Sequence, residues 1–211
     1  MQVLIFICVH PRKSAANGFV LSCSSPYAMF VMGALIMLAM KHDLERLWEE
    51  HTSHEFVTHD TESTLATMVD DAHVNHVPVM TGGCGKEALR VFYSQDFIPC
   101  MPPDTKLTPI SRTIGESQLV DEMIFSFTHT QEMAWMLPGV PATNRHVEIP
   151  LVAIVGFREG KLVSEHIYWD QASVLKQIGL LTDPRLPVCG AETARKVVDP
   201  KFGVAAKGPG K

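Results

Sequence analysis

The stretch Ser164-Glu165-His166-Ile167-Tyr168-Trp169-Asp170 brings two carboxylates, an imidazole and a phenol into seven consecutive residues. In an extended strand alternate side chains share a face. His166, Tyr168 and Asp170 therefore fall on one side, and Glu165, Ile167 and Trp169 on the other. Histidine titrates near neutrality, and an aspartate can hold its tautomer or take the proton itself, so the first set is competent to relay a proton. A plain structural account of the same residues is that His166 and Tyr168 satisfy buried hydrogen bonds while Asp170 caps a helix. A second group lies in Gln118–His129, whose alternation sets Asp121 beside Met123, Phe125, Phe127 and His129. Glu122 lies on the opposite face with Val120 and Ile124. Periodicity alone leaves open which face lines a cavity.

Other chemistries find less support. The ten histidines invite a metal reading, but there is no HExxH, and the His54-Glu55 and Glu165-His166 pairs are adjacent rather than spaced for chelation. Neither a metal nor an organic cofactor is expected. Cys84 precedes a helix in Gly82-Gly83-Cys84-Gly85-Lys86, where a helix N-terminus would lower a thiol pKa, yet no neighbouring base accompanies it. The glycines lack the GxxxxGK pattern of a phosphate loop, and the GxSxG elbow of serine hydrolases is missing. A net charge of -5 without any arginine-lysine cluster argues against a nucleic-acid partner. Five cysteines at irregular spacing read as free thiols, and hence as a reducing, cytoplasmic setting.

The elements that must carry these residues change character along the chain. His42–His54 has Leu44, Leu47 and Trp48 at helical spacing. Asp60 caps a second helix whose apolar stripe is Leu65, Met68 and Val69, ended by Asp70-Asp71. His73–Val77 alternates like a short strand, with His73 and His76 on opposite faces. Gly82, Gly83 and Gly85 mark a turn, and Lys86–Phe97 reads as a third helix. From Lys106 the period becomes two: Thr108–Ile114, Gln118–His129, Arg145–Phe157 and Leu162–Trp169 are strands, the last two joined by a hairpin at Arg158–Lys161. Asp170 then caps a helix carrying Val174, Leu175, Ile178 and Leu181. Helices first and long antiparallel strands after them indicate an α+β fold, whose curved sheet would enclose a ligand cavity. The apolar loop Trp135-Met136-Leu137 stands ready to close the cavity mouth or to meet a second copy of the chain.

Residues 1–40 differ from the rest. They hold no acid, two basic residues (Arg12 and Lys13) and five of the 11 methionines, so residues 41–211 carry a formal charge of -7. The run Met29–Met40 is almost wholly apolar. It reads as a signal anchor, a secretory signal, a buried extension or a segment preceding a true start at Met40, and only the anchor would bring the protein to a membrane. The chain thus divides into an extension over 1–40, a cavity domain over 41–183 and a C-terminal extension over 184–211.

Phe157-Arg158-Glu159-Gly160-Lys161-Leu162 through Asp170, followed by Val174-Leu175-Lys176-Gln177-Ile178-Gly179, resembles the closing segment of the SnoaL-like polyketide cyclases, a branch of the nuclear transport factor 2-like superfamily. The resemblance covers about residues 42–182 and implies a cone-shaped, curved antiparallel sheet wrapped by N-terminal helices. It also implies metal-free acid/base chemistry on an apolar, carbonyl-bearing small molecule, of isomerase, cyclase or lactone hydrolase type. The family's aspartate at the end of the last long strand corresponds to Asp170; His166 or His129 would supply its histidine, with Tyr168 and Asp121 as further candidates. A homodimer is expected. The alternative is a non-catalytic ligand-binding or structural protein of the same fold.

Overall fold

The computed structural model describes residues 44–203. The expectations for residues 1–40 therefore lie outside the described residues. Helix α1 occupies 44–53 and passes without a break into a wider π turn, His54–Thr58, before His59 stops it in the left-handed conformation. Asp60 then caps α2 (Thr61–Ala66) by accepting from the backbone N–H groups of Glu62 and Ser63.

Six strands form one sheet in the order β2-β1-β6-β5-β4-β3. They are β1 (Met68–His76), β2 (Thr81–Cys84), β3 (Lys106–Ile114), β4 (Gln118–Thr128), β5 (His146–Arg158) and β6 (Lys161–Trp169). The helix α3 (Lys86–Val91), extended by a π turn to Phe97, lies between β2 and β3, and α4 (Gln171–Gln177) and α5 (Glu192–Val198) follow the sheet. Three expectations are corrected. The sheet is mixed rather than purely antiparallel, because β1 runs parallel to β6. Met68 and Val69 begin β1 instead of ending α2, and of the glycines thought to mark a turn Gly82 and Gly83 lie in β2 while Gly85 precedes α3.

Local chemistry explains several of these choices. Gly82 sits at φ +129, and a Cβ there would stand 2.1 Å from the Val74 carbonyl oxygen, so only glycine lets β2 close on β1. Glu159 and Gly160 both have positive φ, as the tight β5–β6 hairpin demands. Pro150 pairs with Ile124 of β4 just beyond the Leu151–Trp169 pair, where β6 has ended and no ladder bond is lost. Register shifts at Pro109/Ser111 and Gly156/Phe157 interrupt the β3–β4 and β5–β6 ladders. Such irregularities bend strands.

The inward face of the sheet carries the core. Leu119, Met123, Phe125 and Phe127 of β4, and Val147, Ile149, Leu151 and Ala153 of β5, are all buried. Trp135, Met136 and Leu137 are buried as well, so the β4–β5 connection plugs one end of the core instead of offering an exposed apolar patch. The segment after α4 packs back on the sheet, with Ala194 of α5 fully buried and the Ser173 hydroxyl donating to the Gly190 carbonyl. Among the described residues, no helix is long and apolar enough to cross a membrane.

Candidate active site

Between α1, α3 and the inward face of β1, β4, β5 and β6 lies a narrow cavity of about 40 Å³, walled by Phe92, Phe97, Phe125 and Trp135 and bearing Glu55, Glu165, Tyr93 and His76 among its polar side chains. That is room for roughly three waters. A wider cavity of about 280 Å³ adjoins it, sharing Trp48, Thr52, Phe56, Leu107 and Met123 and reaching Asp121 and Arg112.

Three buried ionisable groups meet at the inner cavity. His51 and Glu55 are one helical turn apart, and Glu165 comes across from β6; His51 Nε2 lies 3.1 Å from a carboxylate oxygen of each. On the other side of the ring His51 Nδ1 is 2.6 Å from the Thr67 hydroxyl, which itself donates to the Thr64 carbonyl. Thr67 therefore accepts at Nδ1, and Nε2 is left to face the carboxylates. A bare lone pair there would repel both oxygens, so the position calls for a proton. Burial alone would lower the His51 pKa, but Glu165 and then Glu55 outweigh it and raise it to about 10. The imidazolium lies flat against Trp48, with ring centroids 5.7 Å apart and planes 14° apart, an arrangement suited to a cation.

One imidazolium cannot neutralise two buried carboxylates. Burial pushes the Glu55 carboxyl up, only partly offset by His51, and makes Glu55 the natural holder of a shared proton. Tyr93 donates to Glu165 Oε1 at 3.3 Å, and burial pushes its phenol well above the ordinary range, so it remains a neutral donor. His51, Glu55 and Glu165 offer ligand atoms within 4.8 Å of one another, a set that could also share a divalent cation. The two N···O separations of 3.1 Å are equally ordinary hydrogen-bond lengths.

Asp121 anchors the outer cavity. It is buried, accepts from Trp48 Nε1 at 2.9 Å, and receives Arg112 Nε and Nη2 at 3.2 and 2.9 Å. Arg112 also reaches Glu45 and Glu49. Trp48 thus joins the two cavities, donating to Asp121 through its nitrogen and stacking on His51 through its ring.

The sequence candidates are not brought together. Asp121 lines the outer cavity. Asp170 is exposed and caps α4 through the N–H groups of Ala172 and Ser173, outside the lining of either cavity. His166 faces outward, its Nε2 3.1 Å from that of His73, and Tyr168 beside it is 41% exposed. His129 is buried and bonded through Nδ1 to the Thr143 hydroxyl, away from both cavities, and burial pushes its pKa down. Cys84 remains exposed at the end of β2. The period-two reading of β6 is right, but the expected cavity face is corrected: Glu165, Ile167 and Trp169 point inward. His51, Glu55, Tyr93 and Thr67 went unrecognised. The spacing of four between His51 and Glu55 was the available signal, together with a lone carboxylate on the apolar face of β6.

The model of the family described as SnoaL-like polyketide cyclase matches residues 44–178. No curated protein matches the chain. Solved structures do: TsrD from Streptomyces laurentii is 18% identical with a TM-score of 0.53, covering 67% of this chain and 98% of that one. An NTF2-like protein of unknown function from Burkholderia pseudomallei K96243 is 15% identical with a TM-score of 0.51, covering 65% and 98%. At such identities the likeness is one of fold.

Proposed function

Because the chain belongs to the SnoaL-like polyketide cyclase family, we propose that it is a cavity enzyme performing acid/base chemistry on an apolar, carbonyl-bearing small molecule. The observation that carries this reading is the pair of buried carboxyls, Glu55 and Glu165, on an aromatic cavity wall with His51 behind them. Glu165, ionised against His51 and Tyr93, takes a proton from the carbon next to the carbonyl. Glu55, held protonated by burial, donates to the carbonyl oxygen as charge develops there. His51 does not line the cavity; it is a positioning residue that keeps one carboxylate charged in a dry site. The reading extends to isomerisation and aldol-type cyclisation, which begin with that transfer, and to lactone hydrolysis, in which Glu165 takes the proton of a water attacking the carbonyl carbon and Glu55 protonates the departing ring oxygen. It includes a homodimer and assigns no metal or organic cofactor. Asp170, the aspartate that the family resemblance suggests, has no place in this scheme.

The test begins with apolar ketones and lactones screened for a rise in melting temperature. Binders are then followed by NMR for deuterium uptake at the α-carbon in D₂O. Glu165→Gln is expected to cut exchange by roughly 10²–10⁴-fold, the usual worth of a positioned proton-transfer group. Ligands that bind without exchange or turnover would instead make the chain a binding protein of this fold.

A further inference from the structure

Two polar atoms on the inner cavity wall have no part in the proton-transfer scheme and no partner of their own. His76 and Trp135 both line that cavity, are 3% and 2% exposed, and pack with ring centroids 5.0 Å apart. His76 Nδ1 and Trp135 Nε1 are buried without a hydrogen bond. An unpaired buried polar atom costs about 1–3 kcal/mol, so two neighbouring ones in one wall call for an occupant. The contrast within the chain is sharp. Trp48 Nε1 donates to Asp121 at 2.9 Å and Trp169 Nε1 donates to Gln171 at 2.6 Å, which leaves Trp135 as the one tryptophan of three without an acceptor.

The two atoms differ in kind. An indole nitrogen only donates. A neutral imidazole carries its one hydrogen on Nδ1 or Nε2 and a lone pair on the other nitrogen. Nδ1 is buried without a partner, and in the tautomer with the hydrogen on Nε2 it presents the lone pair to the cavity wall. Burial holds the ring neutral, with a pKa lowered to about 4, so the lone pair is available throughout the physiological range. The walls around the pair, Phe92, Phe97 and Trp169, are apolar rings packed against His76. A donor and an acceptor side by side in an aromatic wall match one functional group above others, the hydroxyl, which accepts and donates through a single oxygen. A ketone or ether oxygen could satisfy only the indole.

We propose that His76 and Trp135 form a subsite for a ligand hydroxyl, which accepts from Trp135 Nε1 and donates to His76 Nδ1. This deepens the proposed function: the substrate is an apolar carbonyl compound that also bears an alcohol, phenol or enol. It rests on that reading only for the carbonyl. The hydroxyl subsite selects and orients the molecule while Glu55 and Glu165 act on it.

The test is binding to the whole protein, separate from turnover. Phenol and toluene have the same number of heavy atoms and differ by one hydroxyl, and anisole carries an oxygen that only accepts. By NMR titration phenol is expected to bind at least tenfold more tightly than toluene and several-fold more tightly than anisole, from two neutral hydrogen bonds. The Trp135 indole N–H resonance, identified by its loss in Trp135→Phe, should move downfield with phenol and stay in place with toluene. Trp135→Phe keeps the ring and should reduce the phenol preference to threefold or less. Equal affinity for phenol and toluene would overturn the subsite and leave a structural water between the two atoms. Equal affinity for phenol and anisole would remove His76 from it. Glu165→Gln should keep the phenol preference, so failure of the proton-transfer reading leaves this outcome intact. The wild-type titrations decide the matter even if the Trp135 variant does not fold.

Discussion

His51 links the fold to pH in a measurable way. Its pKa rises from 6.5 to about 10 on folding, because Glu165 and Glu55 face it in a buried site. A group whose folded pKa exceeds its unfolded value stabilises most below the unfolded pKa. That contribution shrinks as pH climbs toward the folded one. For a single site with these two values, linkage gives a contribution about 3 kcal/mol smaller at pH 9 than at pH 6. Glu55, also pushed up by burial, adds a loss of the same sign as pH rises. The stability of the wild type should therefore fall from pH 6 to pH 9, with the His51 share worth about 3 kcal/mol in urea denaturation and very roughly 10 °C in melting. His76 and His129, whose pKa values burial lowers, offset part of that loss at about pH 6 to 7. In His51→Gln the amide can still meet one carboxyl but cannot charge, so most of that slope should vanish while stability at pH 6 drops. Parallel pH–stability curves for wild type and variant would refute the imidazolium at the centre of the site. If the variant fails to fold, a flat wild-type curve between pH 6 and pH 9 would have the same consequence.

Asp170→Ala should cost about 1 kcal/mol through the lost helix cap, Asp170→Asn much less, and both should keep full turnover on any substrate that Glu165→Gln disables; a large rate loss in Asp170→Asn would return the chemistry to that aspartate. Sedimentation at micromolar concentration should give twice the monomer mass, with the outward face around the exposed Tyr168 as the contact region; a monomer across the concentration range would remove the dimer.

Locally determined features were readable from the residues. Asp60 and Asp170 announce their helices because a cap needs only a side-chain oxygen and two N–H groups close in sequence. The β4 and β5 strands announce themselves by long alternation, since one face of each is buried over its whole length. Strand β1 was shortened because Leu65, Met68 and Val69 also fit a helical stripe, and what extends Met68–His76 is pairing with β6, nearly a hundred residues later. No local pattern contains that partner. Strand β2 was hidden for a related reason: glycines favour turns by propensity, and only the close approach of Gly82 to the Val74 carbonyl shows why a strand uses them here.

The site was harder to read than the fold because polarity within a strand points two ways. His166, Tyr168 and Asp170 form the denser polar set, and density favoured them; yet a strand face that is mostly polar is ordinarily the face turned to solvent. Glu165 is the rarer case, one carboxylate among Ile167 and Trp169 on a face that must be buried. A lone buried carboxylate is costly enough that it implies a partner elsewhere in the chain. The partner had to be a cation or a second carboxyl holding a proton, reached from another element. His51 and Glu55 satisfy both conditions from α1 and its π turn, and Thr67 fixes the ring so that its Nε2 meets them. The same physical test separates the two in the proposed scheme: Asp170 is exposed and already occupied as a cap, whereas Glu165 is a carboxylate kept in an apolar wall against its solvation cost, the kind a proton-transfer site can use.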